Sequence, residues 1–527
     1  MRDIELAEAG RHICVVTTAC IPWLTGTAVN PTLRAAFLSH CTKLQVTLIV
    51  PWLAISDQAT VFAGKCTFSQ PHEQEECIRE WVHRRVGFRP KFRVTFYMGR
   101  YDRRLLGIFP VGDVTSCVPA HQADIAVLEE PEHLCWYHCG QRWTEKFSHV
   151  VGVMHTNYQE LGLRNAGPMG PLVWTASHVF NQTVCAIHTH KIIKLSDAVQ
   201  HLPRQTTCNV HGVAPGFLQA GSQVLKLAEA GKPRFSKGAY ALGKMVYGKG
   251  WDELVDLLAR DSRGAKALTD VEVDCYGFGE AQPRLQQRAE RDHLRLNFQG
   301  AIDHMSPQIH PYQVFVNCST SDVVATTSLE ALALGKWVVC AEHPCNQFVS
   351  GFPTCLVFRS LQDFQRLLQH ALTHEPPALS AEQLRELGWE AATERLLSAA
   401  QVMPQQRPGR LIRFGQSSLW CLYRWFLGVE LFRILVCAGN CTARAPANML
   451  TWDPNHVSKS LCPAATCAAA RSKRLRAQLS CLWQACQGSV HIRIGIPHQQ
   501  GLSWLALSPD HVDAVGGWPH QSIPALL

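Results

Sequence analysis

The sequence predicts an α/β protein made of two Rossmann-like domains facing each other across a cleft, followed by an irregular C-terminal extension. Three observations predict it. Short apolar runs alternate with helical segments from residue 11 to about residue 398. The strand, loop and helix pattern restarts near residue 234, after a stretch that carries Gly and Pro. Beyond residue 404 the alternation stops.

In the first half, residues 11–215, HICVVTT reads as a buried strand and ACIPWLTGT as the loop after it, containing Gly26. Asn30-Pro31 has the form of an N-cap and N1 pair, which opens a helix running to about Ser39. LQVTLIV is the next strand, and strand, helix, strand with short links is a parallel βαβ unit. Gly26 then lies in the first strand-to-helix loop, where backbone can approach a ligand closely, although a plain turn explains a lone glycine equally well. PHEQEECIREWVHRRVGF has the polarity of an exposed helix, ADIAVLEE is a strand ending in acids, and SHVVGVM is a strand that delivers His155 at its C-terminal end. Ligands of open parallel sheets sit at such ends, so His155 is placed for contact; a structural histidine fits the position too. Residues 216–233 lose the strand pattern and read as the linker.

The second half, residues 234–403, repeats the alternation. SKGAYALGKM is a strand entering a loop, and Lys244 and Lys249 flank that loop in GKMVYGKG. WDELVDLLAR follows as an amphipathic helix, so two ammonium groups and a helix N-terminus make a candidate diphosphate clamp. After the strand QVFVNC come Asp322 and Glu330, with seven residues between them, and then the strand KWVVCA. Thr327 and Glu330 have the spacing of a capping box, and Gly335 stands where so short a helix would end. Glu330 is therefore either a capping glutamate or a ligand-facing acid, and Asp322 either a loop acid or its companion. Lysines that stabilise a departing diphosphate beside carboxylates that hold hydroxyls are the equipment for moving a sugar off a nucleotide, with no metal ion needed.

Composition narrows the classes. Hydrophobic residues make up 46% of the 527 and charged residues 17%, enough to bury cores in two or three domains. The formal charge of +8 suits an anionic substrate or a membrane face, and no Lys/Arg run is dense enough to argue for nucleic acid. The N-terminal MRDIELAEAG has no apolar core for a signal peptide and is too acidic for a usual transit peptide. The 22 cysteines form no Cys-x-x-Cys pair and read as reduced thiols in a cytosol-facing protein. His133, Cys135, His138 and Cys139 match no common zinc spacing, so no metal is expected.

The acid pair followed by ALALGKWVV resembles the Glu-x7-Glu motif of retaining glycosyltransferases with the two-Rossmann (GT-B) fold, and GKMVYGKG resembles their donor-phosphate loop, with Lys244 at its Arg position. TTACIPWLTGTAVNP, VGDVTS, ADIAVLEEPEHLCWYH, VVGVMHTNYQE, CNVHGV and SDVVATTSLEALALGKWVVCAEHPCNQF are similar to the digalactosyldiacylglycerol synthases, the plastid galactolipid galactosyltransferases of plants and algae. The resemblance covers about residues 11–398. It implies UDP-galactose as donor, monogalactosyldiacylglycerol as acceptor, retention at the sugar, no cofactor, and a peripheral place on the cytosolic side of the chloroplast outer envelope membrane. It implies that Gly26, Lys244 and Lys249 approach the donor phosphates. By the same resemblance Glu330 holds the ribose or the sugar of the donor, Asp322 contacts the galactose, and His155 sits near the transferred sugar. Asp322 stands where the general motif has Glu, one methylene shorter. That departure keeps two other readings open: a related GT-B transferase for another sugar or lipid acceptor, and an inactive lipid-binding or scaffold protein.

The extension, residues 404–527, lies outside the resemblance. Residues 417–439 are aromatic and apolar but carry Arg424, Glu430 and Arg433, too many charges for a spanning helix. An amphipathic segment on a membrane and a helix packed on the core both fit. Residues 440–527 show no period and are expected to be poorly ordered.

Overall fold

The computed structural model describes residues 6–402, apart from 65, 104–105, 137, 139, 159–169, 247 and 260–267, together with 415–421, 493–498 and 501–506. Two sheets organise the larger unit. The first contains β1 (His12–Val16), β2 (Gln45–Trp52), β3 (Arg93–Asp102), β4 (Gly107–Pro110), β5 (Ile125–Glu129), β6 (His149–Met154), β7 (Lys191–Lys194) and β8 (Gln205–Thr207), in the order β4-β3-β2-β1-β5-β6-β7-β8. Every pairing is parallel except β3 with β4. The second sheet is wholly parallel: β9 (Lys237–Leu242), β10 (Val273–Tyr276), β11 (Leu296–Gly300), β12 (Tyr312–Asn317), β13 (Trp337–Ala341) and β14 (Cys355–Phe358), in the order β11-β10-β9-β12-β13-β14. This is the predicted pair of Rossmann-like sheets.

Helices cover both faces of each sheet because the strands are apolar on both sides. In β1, Ile13 and Val15 enter one core and Cys14 and Val16 the other. In β12, Val314 and Val316 enter one core and Phe315 the other. The order reverses between β1 and β5 in the first sheet and between β9 and β12 in the second. A crevice opens outside the carboxyl ends of the strands at such a switch point. Three candidate loops lead from these four strands: the Gly26 loop from β1, the lysine loop from β9 and the acid loop from β12.

Four expectations need correction. The helix after β1 spans Gly26–Cys41 and begins ahead of Asn30, so Pro31 lies inside it. A proline there cannot donate to the carbonyl of Thr27. The Thr17 hydroxyl, just past β1, donates to that carbonyl instead, which is why an Asn-Pro pair does not start this helix. Residues 216–233, expected as linker, are mostly the helix Pro215–Glu229. The helix Trp389–Ala399, expected in the second half, packs on the first: Trp389, Ala392 and Leu396 belong to the core shared with Phe37 and Ile13. The Trp389 and Phe37 rings stack at 6.1 Å. The helix carrying Glu330 spans Thr326–Ala333 with Ala325 at its N-cap and no side-chain cap, so the expected capping box is absent. Gly335 does take the left-handed conformation past its end, with φ +73°.

Residues 415–421, at the edge of the expected amphipathic segment, are helical; Trp420 there is buried, its ring 5.0 Å from that of His188. The remainder of 417–439 lies outside the described residues. Residues 448–526 form a separate unit, in which Arg493–His498 pairs antiparallel with Gly501–Ala506. No described helix is long and apolar enough to cross a membrane.

Candidate active site

The lysine loop is built by close backbone contact. Gly250 has φ +81°, and a Cβ there would sit 2.3 Å from the backbone of Cys318 and Ser319, so only glycine lets the loop lie against the chain leaving β12. Trp251 Nε1 donates to Lys244 O at 2.9 Å and Ser321 Oγ donates to Gly248 O, tying both ends of the loop. Lys249 Nζ then meets Asp322 Oδ1 in an ion pair whose side chains keep 39% and 20% of their exposure. Lys244 is held below the usual lysine range by burial and by the charge of Lys249. Two cations and one carboxylate thus share a junction between the β9 and β12 loops. One carboxylate against two lysines leaves a surplus positive charge, suited to an anion richer in charge than itself.

Glu330 is in the helix Thr326–Ala333 that follows, and it pairs with a histidine. Its Oε2 lies 2.8 Å from His304 Nδ1, on the chain after β11. The charge of Glu330 raises the His304 ring above the usual histidine range, against burial. Asn317, the last residue of β12, fixes the geometry: its Nδ2 donates to Ser328 Oγ at 3.1 Å and its Oδ1 accepts from Ser319 N at 3.0 Å.

In the first half, Glu129 is the last residue of β5, and Glu130, just past it in the left-handed conformation with φ +64°, turns to a different set of partners. Glu129 accepts from Arg34 Nε at 2.6 Å and from His155 Nε2. Glu130 accepts from Thr18 Oγ1 at 2.8 Å and from the Thr156 hydroxyl, with Tyr158 at 3.3 Å. Burial works to raise the Glu129 carboxyl, but the charge of Arg34 and the hydrogen bond from His155 outweigh it and hold the group below the usual range. Glu132, wholly buried, is driven well above that range by burial and by Glu130. Gly26 is the first residue of its helix, and a Cβ there would meet only Asn30 Nδ2 at 3.7 Å, an ordinary contact. Packing therefore does not demand glycine at that position. His133 turns to Ile108 O and Tyr158, and His138 to Gln141 O, so these two do not converge; Cys139 lies outside the described residues.

The two halves touch at the acid loop. Ser196 Oγ, just past β7, donates to the carbonyl of Val323, and Val323 is buried in the first sheet's core. Arg85 reaches Asp303, next to His304, at 3.1 Å. Asp322 is thus one residue from the seam. Of the residues singled out in the sequence, Lys249 and Asp322 meet, Lys244 and Lys249 act on each other, and Glu330 and His155 each find a different partner. His304, Ser196, Arg34 and Glu129 went unnoticed individually. The acids ending ADIAVLEE were the one available signal.

The family model for group 1 glycosyl transferases matches residues 237–373, which span β9 to the helix after β14. Digalactosyldiacylglycerol synthase 2, chloroplastic, of Arabidopsis thaliana is 45% identical over 390 residues, 74% of this chain and 81% of that protein.

The chain belongs to the digalactosyldiacylglycerol synthase family.

Digalactosyldiacylglycerol synthase 1, chloroplastic, of Glycine max is 47% identical over 393 residues, 74% of this chain and 49% of that protein. The chain therefore spans about half the length of these longer curated relatives. Among solved structures, a trehalose 6-phosphate synthase from Burkholderia multivorans is matched at 14% identity and a TM-score of 0.42, over 83% of this chain and 99% of that one; so distant a likeness adds nothing to the sheet order described above. Within the family match, the lysine loop, the acid loop and His304 all fall in residues 237–373, whereas His155 and Glu129 lie in the half outside it.

Proposed function

We propose that this member of the digalactosyldiacylglycerol synthase family is a galactolipid galactosyltransferase, moving galactose from UDP-galactose to monogalactosyldiacylglycerol with retention. The observation that carries this reading is the junction of Lys244, Lys249 and Asp322 at the switch point of the second sheet. In the reaction, the bond between galactose C1 and the β-phosphate oxygen breaks and UDP leaves. The acceptor's 6-oxygen bonds to C1 on the same face, and its proton passes to the leaving phosphate. Lys244 and Lys249 neutralise the charge that builds on the diphosphate, which lowers the barrier. Donor binding draws Lys249 off Asp322 and onto phosphate, freeing the carboxylate for galactose hydroxyls. Glu330 takes the ribose or the sugar of the donor, His155 a hydroxyl of the transferred galactose, and the backbone at Gly26 the phosphates. The lysines supply the cationic charge without a metal ion or cofactor. The relatives' names carry the word chloroplastic, and the absence of a spanning helix among described residues is compatible with a peripheral place on the cytosolic face of the outer envelope membrane.

Lipid product analysis tests the reading. Purified protein is given UDP-galactose or UDP-glucose with monogalactosyldiacylglycerol in vesicles. Digalactosyldiacylglycerol from UDP-galactose alone is expected, and Lys249→Ala lowers its rate at least about a hundredfold. A glucosylated product, or no glycolipid while UDP binds normally, contradicts it.

A further inference from the structure

The geometry points to Glu129 and Arg34 as positioning residues: we propose that Glu129, its charge held by Arg34, fixes His155 with the proton on Nε2, so that Nδ1 offers a lone pair to a hydroxyl of the transferred sugar. The proposal rests on the reading of His155 as a residue beside the transferred galactose. It adds what sets the ring's hydrogen-bonding sense.

The register supplies the alignment. Glu129 pairs with Val153 across β5 and β6, so His155, two residues further, projects to the same side as Glu129. Arg34 comes down onto the carboxylate from the helix Gly26–Cys41. The three side chains are 0%, 1% and 5% exposed for Glu129, Arg34 and His155, so water does not loosen the arrangement. An ionised carboxylate only accepts hydrogen bonds, which leaves Nε2 as the donor and fixes the tautomer by chemistry. Nδ1 takes no partner among the described residues.

The charges around the ring are near balance. Glu129 faces the ring and shares its charge with Arg34. Arg34 Nε, at 2.6 Å, already satisfies that carboxylate, and Arg34 Nη1 is anchored to Val210 O at 2.8 Å. The ring of His211 stands 5.0 Å from that of His155. Burial, with the charges of Arg34 and Arg395, holds His211 well below the usual histidine range, so it stays neutral. Arg395, from the helix Trp389–Ala399, donates to His211 O at 3.3 Å. Glu130 faces away, toward Thr18 and Thr156. Among the described residues, the groups that face His155 are therefore one carboxylate, one guanidinium bound to it and one neutral ring, with a second guanidinium behind. A tautomer fixed before substrate arrives costs no reorganisation in the transition state.

The test uses the full chain with 15N-labelled histidine. Long-range proton–nitrogen correlation reads the tautomer of His155, assigned by the signal lost in His155→Gln. The Nε2–H pattern is expected in the native chain. Glu129→Gln lets the new amide donate to Nε2 and so reverses the pattern; kcat falls about a hundredfold while the affinity for UDP stays within about twofold. Because Glu129→Gln leaves Arg34 buried without its counter-charge, an Arg34→Met/Glu129→Leu double variant is made as well. It removes both charges and the acceptor for Nε2–H at similar volume, so loss of the Nε2–H pattern and the same fall in kcat are expected. An Nδ1–H pattern in the native chain overturns the proposal. So does a folded double variant that keeps both the native pattern and the native kcat. If the native chain transfers no galactose, the proposed function fails, and the tautomer measurement still decides the role of Glu129.

Discussion

His304 and Glu330 form the contact at the site whose strength follows pH most directly. The carboxylate holds the His304 ring above the usual histidine range. A histidine raised in the folded state contributes stability that is fully present below its unfolded value, about pH 6.5, and is lost as pH rises through the folded one. The stability difference between the native chain and Glu330→Gln, measured by urea unfolding, should be widest below about pH 6.5 and should narrow toward alkaline pH. A difference that is constant with pH would mean that the pair is not coupled in solution. The lysines and Asp322 were legible because they lie in the loops that leave β9 and β12, and Glu330 because of its spacing from Asp322. Their partners were not. Arg34 and Glu129 are 95 residues apart and His304 and Glu330 are 26 apart, and local periodicity carries no information about pairings of that reach.

At the scale of single elements, the helix Gly26–Cys41 shows how a local signal is overridden. Asn30-Pro31 has the form of a helix start, yet the helix runs through it because Thr17 supplies the hydrogen bond that Pro31 cannot. Thr17→Val should therefore cost about 0.5–1.5 kcal/mol by urea unfolding, the net value of a hydrogen bond to a partly buried carbonyl. In a Pro31→Ala background the restored N–H serves the same carbonyl, and the cost of Thr17→Val should shrink to less than half. Equal costs in both backgrounds would show the Thr17 hydroxyl to be incidental. The same comparison explains the absent capping box. Thr327 falls inside its helix, where it cannot cap, and Glu330 is drawn to His304 rather than back to its own N-cap. Strands were the easier elements to read, because apolar runs such as HICVV and YQVFVN are buried on both faces whatever their neighbours.

Across the whole larger unit, the boundary between halves is not where composition put it. Alternation indicated two sheets, and there are two, but the helix Trp389–Ala399 returns to the first sheet after the second is complete. Trp389 is buried against Phe37, His211 and the guanidinium of Arg34. No sequence period reports such a return, since the helix is amphipathic against either sheet. Trp389→Ala should cost about 3–5 kcal/mol, as for other buried aromatic truncations. It should also loosen the seam, so that unfolding followed by probes in the two halves no longer coincides. A coincident transition with unchanged midpoint would place the return helix outside the stabilising core. Arg85 and Asp303 also span the halves, but Asp303 is 67% exposed, and an ion pair so open to solvent adds at most about 1 kcal/mol.

The junction of Lys249 with Asp322 makes a demand on both partners that calorimetric titration of UDP can check. Lys249→Ala should weaken UDP binding about 10- to 100-fold, the loss of a charge-assisted hydrogen bond to phosphate. Asp322→Ala should leave UDP binding unchanged or tighter, since it removes the carboxylate that competes for Lys249, while galactose transfer falls away. Native UDP affinity in Lys249→Ala, or UDP affinity lost in Asp322→Ala, would contradict a diphosphate held at this junction.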